Sequence, residues 1–159
     1  MNATDTKVGQ STSAEDIIEK ELSYVIVGVF FTVFNRLGFG FLETVYVRCL
    51  EILLKRRGLL VEREYPVEIY FEGELVGRHR LDMLVERRII VEVKSSERLS
   101  DVPKKQLRNY LAATGLRLGL ILHFGPRAEY CRVIGPRSPI TNTTATPHAN
   151  PANPANECE

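Results

Sequence analysis

The stretch Leu75–Lys94, LVGRHRLDMLVERRIIVEVK, decides how this chain reads. Two alternating segments, Leu75–Val85 and Ile89–Lys94, flank Glu86-Arg87-Arg88, which is the pattern of a β-hairpin. In the first segment Leu75, Leu81, Met83 and Val85 share one parity, and Arg78, Arg80 and Asp82 share the other. In the second, Ile89, Val91 and Val93 are apolar, whereas Glu92 and Lys94 are charged. One face of a sheet has to be dry, so the apolar sets belong together. Pairing Val85 with Ile89 and Met83 with Val91 sets Asp82 opposite Glu92 and Arg80 opposite Lys94. Cross-strand neighbours on one face have Cβ atoms about 4.5–5.5 Å apart, so two carboxylates and an ammonium converge. The register demands a three-residue or bulged turn, because a two-residue turn would divide the cluster between faces.

Two carboxylates pressed together repel unless a positive charge lies between them. Hard oxygen donors suit Mg²⁺ or Mn²⁺, and such a metal can activate water and polarise a phosphoryl oxygen. A neighbouring lysine can steady the negative charge that develops. The same residues also describe a solvated hairpin face with weak ion pairs, and Glu-x-Lys is a common tripeptide.

Working outward, Ile18, Leu22, Val25, Val29 and Val33 recur at helical spacing, and the apolarity of Val25–Phe34 on all sides predicts a largely buried helix that ends at Gly38-Phe39-Gly40. A second helix is predicted from about Phe41 to Arg57, with basic residues in its last turn and Gly58 as its cap. Leu59–Phe71 reads as a strand in which Pro66 marks an edge or bulge. Beyond the hairpin come a helix over Val102–Thr114 and strands at Leu118–His123 and Tyr130–Ile134. The order α-α-β-β-β-α-β-β predicts an α/β fold, a mixed sheet flanked by helices.

The 159 residues, 44% of them hydrophobic, suffice for one core. Residues 1–14 read as a disordered leader, 15–135 as the domain, and 136–159, rich in Thr, Asn, Pro and Ala, as a disordered tail. The longest nearly apolar run, Leu22–Phe34, has 13 residues, too few to span a bilayer. Cys49, Cys131 and Cys158 form no C-x-x-C pair, which argues against a disulfide framework or structural zinc and for a reducing, cytoplasmic setting. Net charge is +1, yet Tyr46–Arg137 holds 18 Lys and Arg against 12 Asp and Glu, a mildly basic centre that permits contact with a polyanion.

Asp82, followed ten residues later by Glu92-Val93-Lys94, resembles the D…(D/E)-x-K signature of the PD-(D/E)XK nuclease superfamily, although Leu81 stands where the proline would be. Gly40-Phe-Leu-Glu43-Thr-Val-Tyr46 resembles the motif that names the GxxExxY proteins of that superfamily. Leu81–Val85, Gln106–Leu111 and Thr114–Gly119 look like the same group, so the likeness spans roughly Leu22 to Val133. The resemblance implies a restriction-endonuclease-like fold and Mg²⁺- or Mn²⁺-dependent hydrolysis of nucleic acid, DNA before RNA. By that likeness Asp82 and Glu92 are metal ligands, and Lys94 orients the attacking water or stabilises the pentavalent phosphate.

Glu43 falls in the first turn of the second helix, where a carboxylate is favoured by the helix dipole; the resemblance adds a role beside the metal. Gln106 and Tyr110 lie one helical turn apart. Tyr110 reads equally as a core ring with its hydroxyl at the surface, while the pair resembles the motif that follows the lysine in RecB-like nucleases. Arg78, Arg80, Lys104, Lys105 and Arg108 are candidate phosphate contacts on what is by default a solvated face. His79 and His123 sit on apolar strands and read as packed. Two other functional classes stay open: a nucleic-acid-binding module without turnover, and a protein-interaction domain whose apolar first helix packs in a homodimer.

Overall fold

The structure, a computed structural model, describes residues 19–137. The expected leader, most of the expected tail, Cys158 and His148 lie outside the described residues. The chain runs α1 (Lys20–Leu37), α2 (Glu43–Arg56), β1 (Val61–Phe71), β2 (Glu74–Val85), β3 (Ile89–Lys94), α3 (Val102–Thr114), β4 (Leu118–Phe124) and β5 (Ala128–Ile134). The five strands form one sheet in the order β1-β2-β3-β4-β5. Only β3 and β4 are parallel, and α3 makes the crossover between them; the other neighbours are antiparallel. This is the mixed α/β architecture of the restriction-endonuclease-like fold. Among the described residues no helix is long and apolar enough to cross a membrane.

Helices cover both faces of the sheet. α1 and α2 bury Ile26, Phe30, Tyr46 and Leu50 against Met83, Val91, Val93 and Leu122. α3 buries Leu107, Tyr110 and Leu111 against Leu81, Leu84, Ile90 and Ile121 on the opposite face. Each such aliphatic side chain contributes about 1.5–3 kcal/mol through the apolar surface it removes from water. α3 lies very close to β4, because a Cβ on Gly119 would come within 2.7 Å of the Leu107 side chain. The buried face of α1 carries Ile26, Val29, Phe30 and Val33, but Tyr24 and Phe31 are exposed. The helix is therefore open on one side rather than buried all round, since only the sheet and α2 cover it.

The hairpin register is as expected over Val85↔Ile89, Leu84↔Ile90 and Met83↔Val91. Its turn has three residues, with Glu86 and Arg87 at φ 52° and 53° and the Arg88 N–H donating to the Val85 carbonyl at 3.0 Å. Left-handed φ at both central positions matches the turn to the strand twist. Two expectations need correction. Leu81 packs with the α3 face while Met83 packs with the α1–α2 face. The strands twist there: between the rungs Arg63↔Met83 and Tyr65↔Leu81, Glu64 takes φ 50°. Arg80 does not face Lys94 either, because β2 and β3 part company after Met83 and Arg80 pairs instead with Pro66 of β1.

Candidate active site at the fork between β2 and β3

The ladder between β2 and β3 stops at Met83↔Val91, and Asp82 is the next residue on the departing strand. Its Oδ2 accepts a hydrogen bond from the Val93 N–H at 2.8 Å, serving a β3 amide that β2 no longer pairs. That bond fastens the carboxylate beside Glu92. β3 is the middle strand and is covered on both faces, so an acid placed on it is buried by position. Glu92 is only 6% exposed. Lys94, two residues on and on the same face, brings its Nζ to 3.8 Å from Glu92 Oε2, and Glu92 Oε1 is buried with no hydrogen-bond partner among the described residues.

Burial, reinforced by the charge of Asp82, raises the Glu92 pKa from 4.5 to about 7, and Lys94 only partly opposes this. Glu51, the other buried acid among the described residues, shows what a satisfied carboxylate looks like here. Lys55 and Arg48 bond to it at 2.7 and 2.6 Å, and Arg63 lies at 3.4 Å. These cations, Lys55 foremost, hold its pKa at about 2 against the opposing effect of burial. The fold can neutralise a buried acid, and at Glu92 it supplies only Lys94, at 3.8 Å.

Glu43 opens α2, where the exposed N-terminal turn favours an acid. Leu42 is the N-cap, so the helix begins two residues later than the expected Phe41. Glu43 Oε1 accepts the Ser95 N–H at 3.1 Å, and Ser95 Oγ donates to the Phe41 carbonyl at 2.8 Å. The turn before α2 is thus tied to the residue that follows Lys94, and the charge of Glu43 is felt at Glu92. Ser95 escaped the sequence reading, since nothing in a serine after a strand announces such a role. Tyr46 is fully buried and stacks on Phe124 at 3.9 Å. Its hydroxyl donates to the Gly38 carbonyl at 2.7 Å and accepts the Phe41 N–H at 3.1 Å. The tyrosine therefore shapes the turn that presents Glu43.

α3 brings Tyr110 to the same end of the sheet. Its pKa is raised by burial and by the charge of Glu92, with hydrogen bonding from the exposed Gln106 partly offsetting both. His79, half-buried, stacks on the Tyr110 ring at 4.1 Å. Burial lowers its pKa, Asp82 opposes that and Lys94 adds to it, which sets the imidazole close to the acids. His79 is packed, as expected, and its packing partner is a candidate site residue. His123 is buried too, with Nε2 at 2.8 Å from the Ser96 carbonyl, and it holds the loop beyond Lys94.

The expected phosphate contacts are dispersed. Arg78 pairs with Glu68 at 3.2 Å, Arg80 with Glu64 at 3.7 Å and Lys104 with Asp101 at 3.1 Å. Lys105 and Arg108 are exposed on α3 and form no ion pair among the described residues. The site therefore gathers Asp82, Glu92, Lys94, Glu43 and Tyr110, with Gln106 at its margin, and leaves most of the cations on the surrounding surface.

Among the described residues no three His, Cys, Asp or Glu side chains are gathered closely enough to form a metal-binding group. The donors at the fork are two carboxylates, one carrying a buried oxygen that no hydrogen bond among the described residues satisfies. That set suits a hard cation such as Mg²⁺, which keeps several waters and takes few protein ligands.

No curated protein matches the chain. The crystal structure of SSO0001 shares 22% identity and a TM-score of 0.48 over 77% of this chain. This chain spans 62% of that one. The pattern of the PD-(D/E)XK nuclease superfamily matches residues 20–133, which take in both helices before the sheet, the fork, and the strands beyond it. An acid at the fork and a Glu-x-Lys on the central strand are thus set in the sheet whose whole length carries the family pattern, and this chain belongs to the PD-(D/E)XK nuclease superfamily.

Proposed function

We propose that this protein is a metal-dependent nuclease that hydrolyses phosphodiester bonds, with DNA as its substrate, and that within the superfamily it is of the GxxExxY group. The observation that supports this best is Glu92, buried, two residues from Lys94, and with one oxygen unsatisfied beside a second acid. A carboxylate with only structural work would be neutralised, as Glu51 is.

In this reading Asp82 and Glu92 hold Mg²⁺ or Mn²⁺, and Glu43 contributes negative charge from the first turn of α2. The metal, when bound, supplies Lewis acidity towards a phosphoryl oxygen and lowers the pKa of water. Lys94 aligns the attacking water and donates to the phosphoryl oxygens as their charge grows. The water oxygen forms its bond to phosphorus as the bond to the departing deoxyribose oxygen breaks; the attacking water releases its proton to solvent, and the departing oxygen takes one from solvent. Tyr110 and Gln106 border the site from α3 and orient the phosphate, while Lys105 and Arg108 draw the flanking backbone towards α3.

The test is cleavage of labelled DNA by the purified full chain with Mg²⁺, with Mn²⁺ and with EDTA. Cleavage is expected with either metal and abolished by EDTA, and Lys94→Ala should reduce it by about 10²–10³-fold while keeping binding. Binding without cleavage in any divalent metal would instead identify a module that keeps the fold without turnover.

A further inference from the structure

Beside the fork lies an open hollow of about 540 Å³, lined by Phe39, Phe41, Leu42, Glu43, Thr44 and Ser95 together with Gly40. Two of these residues, Glu43 and Ser95, belong to the candidate active site, so the hollow and the site share a wall. Its lining contains no Lys or Arg, so it is not shaped for a phosphate. What it offers is two aromatic rings left 41% and 48% open to solvent at Phe39 and Phe41.

Phe41 is not loose. Gly38 and Gly40, at φ 69° and 118°, give the turn a backbone that other residues rarely adopt. The Tyr46 hydroxyl accepts the Phe41 N–H, Ser95 Oγ donates to the Phe41 carbonyl, and the Phe41 ring stands edge-on to Tyr46 at 6.2 Å. Both ends of the Phe41 main chain are held, one by the core tyrosine and the other by the strand that carries the candidate catalytic acid and lysine. An aromatic surface free of cations, with Phe41 fixed beside a phosphodiester site, matches a flat ring with a π-face, and every unpaired nucleobase has one.

We infer that Phe39 and Phe41 form a stacking subsite for an unpaired base of a single-stranded segment, next to the phosphate held at the fork, an inference that rests on the nuclease reading above. In duplex DNA the bases are stacked on each other and cannot reach this hollow. The subsite therefore favours single strands over blunt duplexes.

The experiment uses the full chain carrying Lys94→Ala, so that substrate survives, with Mg²⁺ and a fluorescein-labelled 12-nucleotide single strand or the blunt duplex of the same sequence, read by anisotropy. Replacing both rings with leucine (Phe39→Leu with Phe41→Leu) keeps the hollow apolar and removes the π-faces. Single-strand binding should weaken about 5- to 150-fold, the range expected for loss of one stacked base, and duplex binding should stay within about twofold. One abasic nucleotide is then moved along the strand. A single position should cause a matching loss with the Lys94→Ala protein and no additional loss with the leucine variant.

Unchanged single-strand affinity in a folded leucine variant, while the parent still binds DNA, overturns the subsite and leaves the nuclease reading standing. So does a switch from dimer to monomer in size exclusion with DNA affinity unaltered, which would assign the rings to a second copy of the chain. If the wild-type protein neither binds nor cleaves nucleic acid, both readings fall. Should the leucine variant not fold, the abasic series with the parent decides, and equal affinity at every position overturns the inference.

Discussion

Replacing Glu92 with glutamine should stabilise the metal-free protein at pH 8 while removing the candidate metal ligand. Glutamine keeps the volume of the side chain and mimics the protonated acid. In the folded protein the Glu92 pKa is about 7 against 4.5 for the free group, so the folded state holds this proton more tightly than the unfolded chain does. Stability contributed by the protonated form is fully present below pH 4.5 and is lost as pH rises through 7. A shift of about 2.5 pKa units at 1.36 kcal/mol each makes the ionised carboxylate cost about 3 kcal/mol at pH 8. At pH 5 the same reasoning leaves less than about 1 kcal/mol. The assay is urea unfolding of wild type and Glu92→Gln in EDTA at both pH values. With a slope of about 2 kcal/mol per molar urea, the variant's midpoint should rise by about 1.5 M at pH 8 and by under about 0.5 M at pH 5. A variant no more stable than wild type at pH 8, or a gain identical at both pH values, would refute the claim that the burial of this carboxyl is only partly compensated by Lys94.

Mg²⁺ should raise the thermal midpoint of wild type at pH 8 but not that of Glu92→Gln, and its apparent affinity, measured by calorimetry, should fall about tenfold per pH unit below 7 as the proton competes for the carboxylate. Affinity independent of pH would place the cation elsewhere. Tyr46→Phe removes the hydroxyl that joins the Gly38 carbonyl to the Phe41 N–H. It should cost about 1–3 kcal/mol in urea unfolding and lower kcat, because the turn presenting Glu43 slackens; full stability would show that the bridge is dispensable. Gly119→Ala drives a methyl group into Leu107 at 2.7 Å and should destabilise by about 1–3 kcal/mol, displacing α3 and with it Tyr110. A wild-type unfolding midpoint for that variant would mean α3 shifts away at little cost.

The fold was legible because its signals were local and redundant. Alternation located β2 and β3, and the parity of Met83, Val85, Ile89 and Val91 located the rungs between them. Parity failed where a strand changed partner. Leu81 has the parity of Met83 but packs against α3, since the left-handed Glu64 on the neighbouring strand twists the pair at that rung. Such a kink in a glutamate leaves no mark in the sequence. Registry set Asp82 opposite Glu92, but the ladder ends one rung earlier: Asp82 is placed instead by accepting the Val93 N–H, a bond available only because the ladder has already ended. Ser95 and Tyr46 act through main-chain groups at positions 41 and 38, and side chain to main chain bonds of that kind have no periodicity to betray them. The basic residues were easy to name and hard to place, because charge composition is silent about which cations an adjacent acid already holds.

Beyond the fork, β1 and β2 run on as a two-stranded arm with Phe71 and Val76 exposed near its tip. Asp82 stands at the root of that arm, about 25 Å from Glu74 at the usual rise of a strand, and Leu81 and Val67 clamp the root beneath α3. A lever pivoting there converts a swing of several ångströms at its tip into a fraction of an ångström at the carboxylate. The spacing between Asp82 and Glu92 is thereby insulated from movement at the far end of the hairpin.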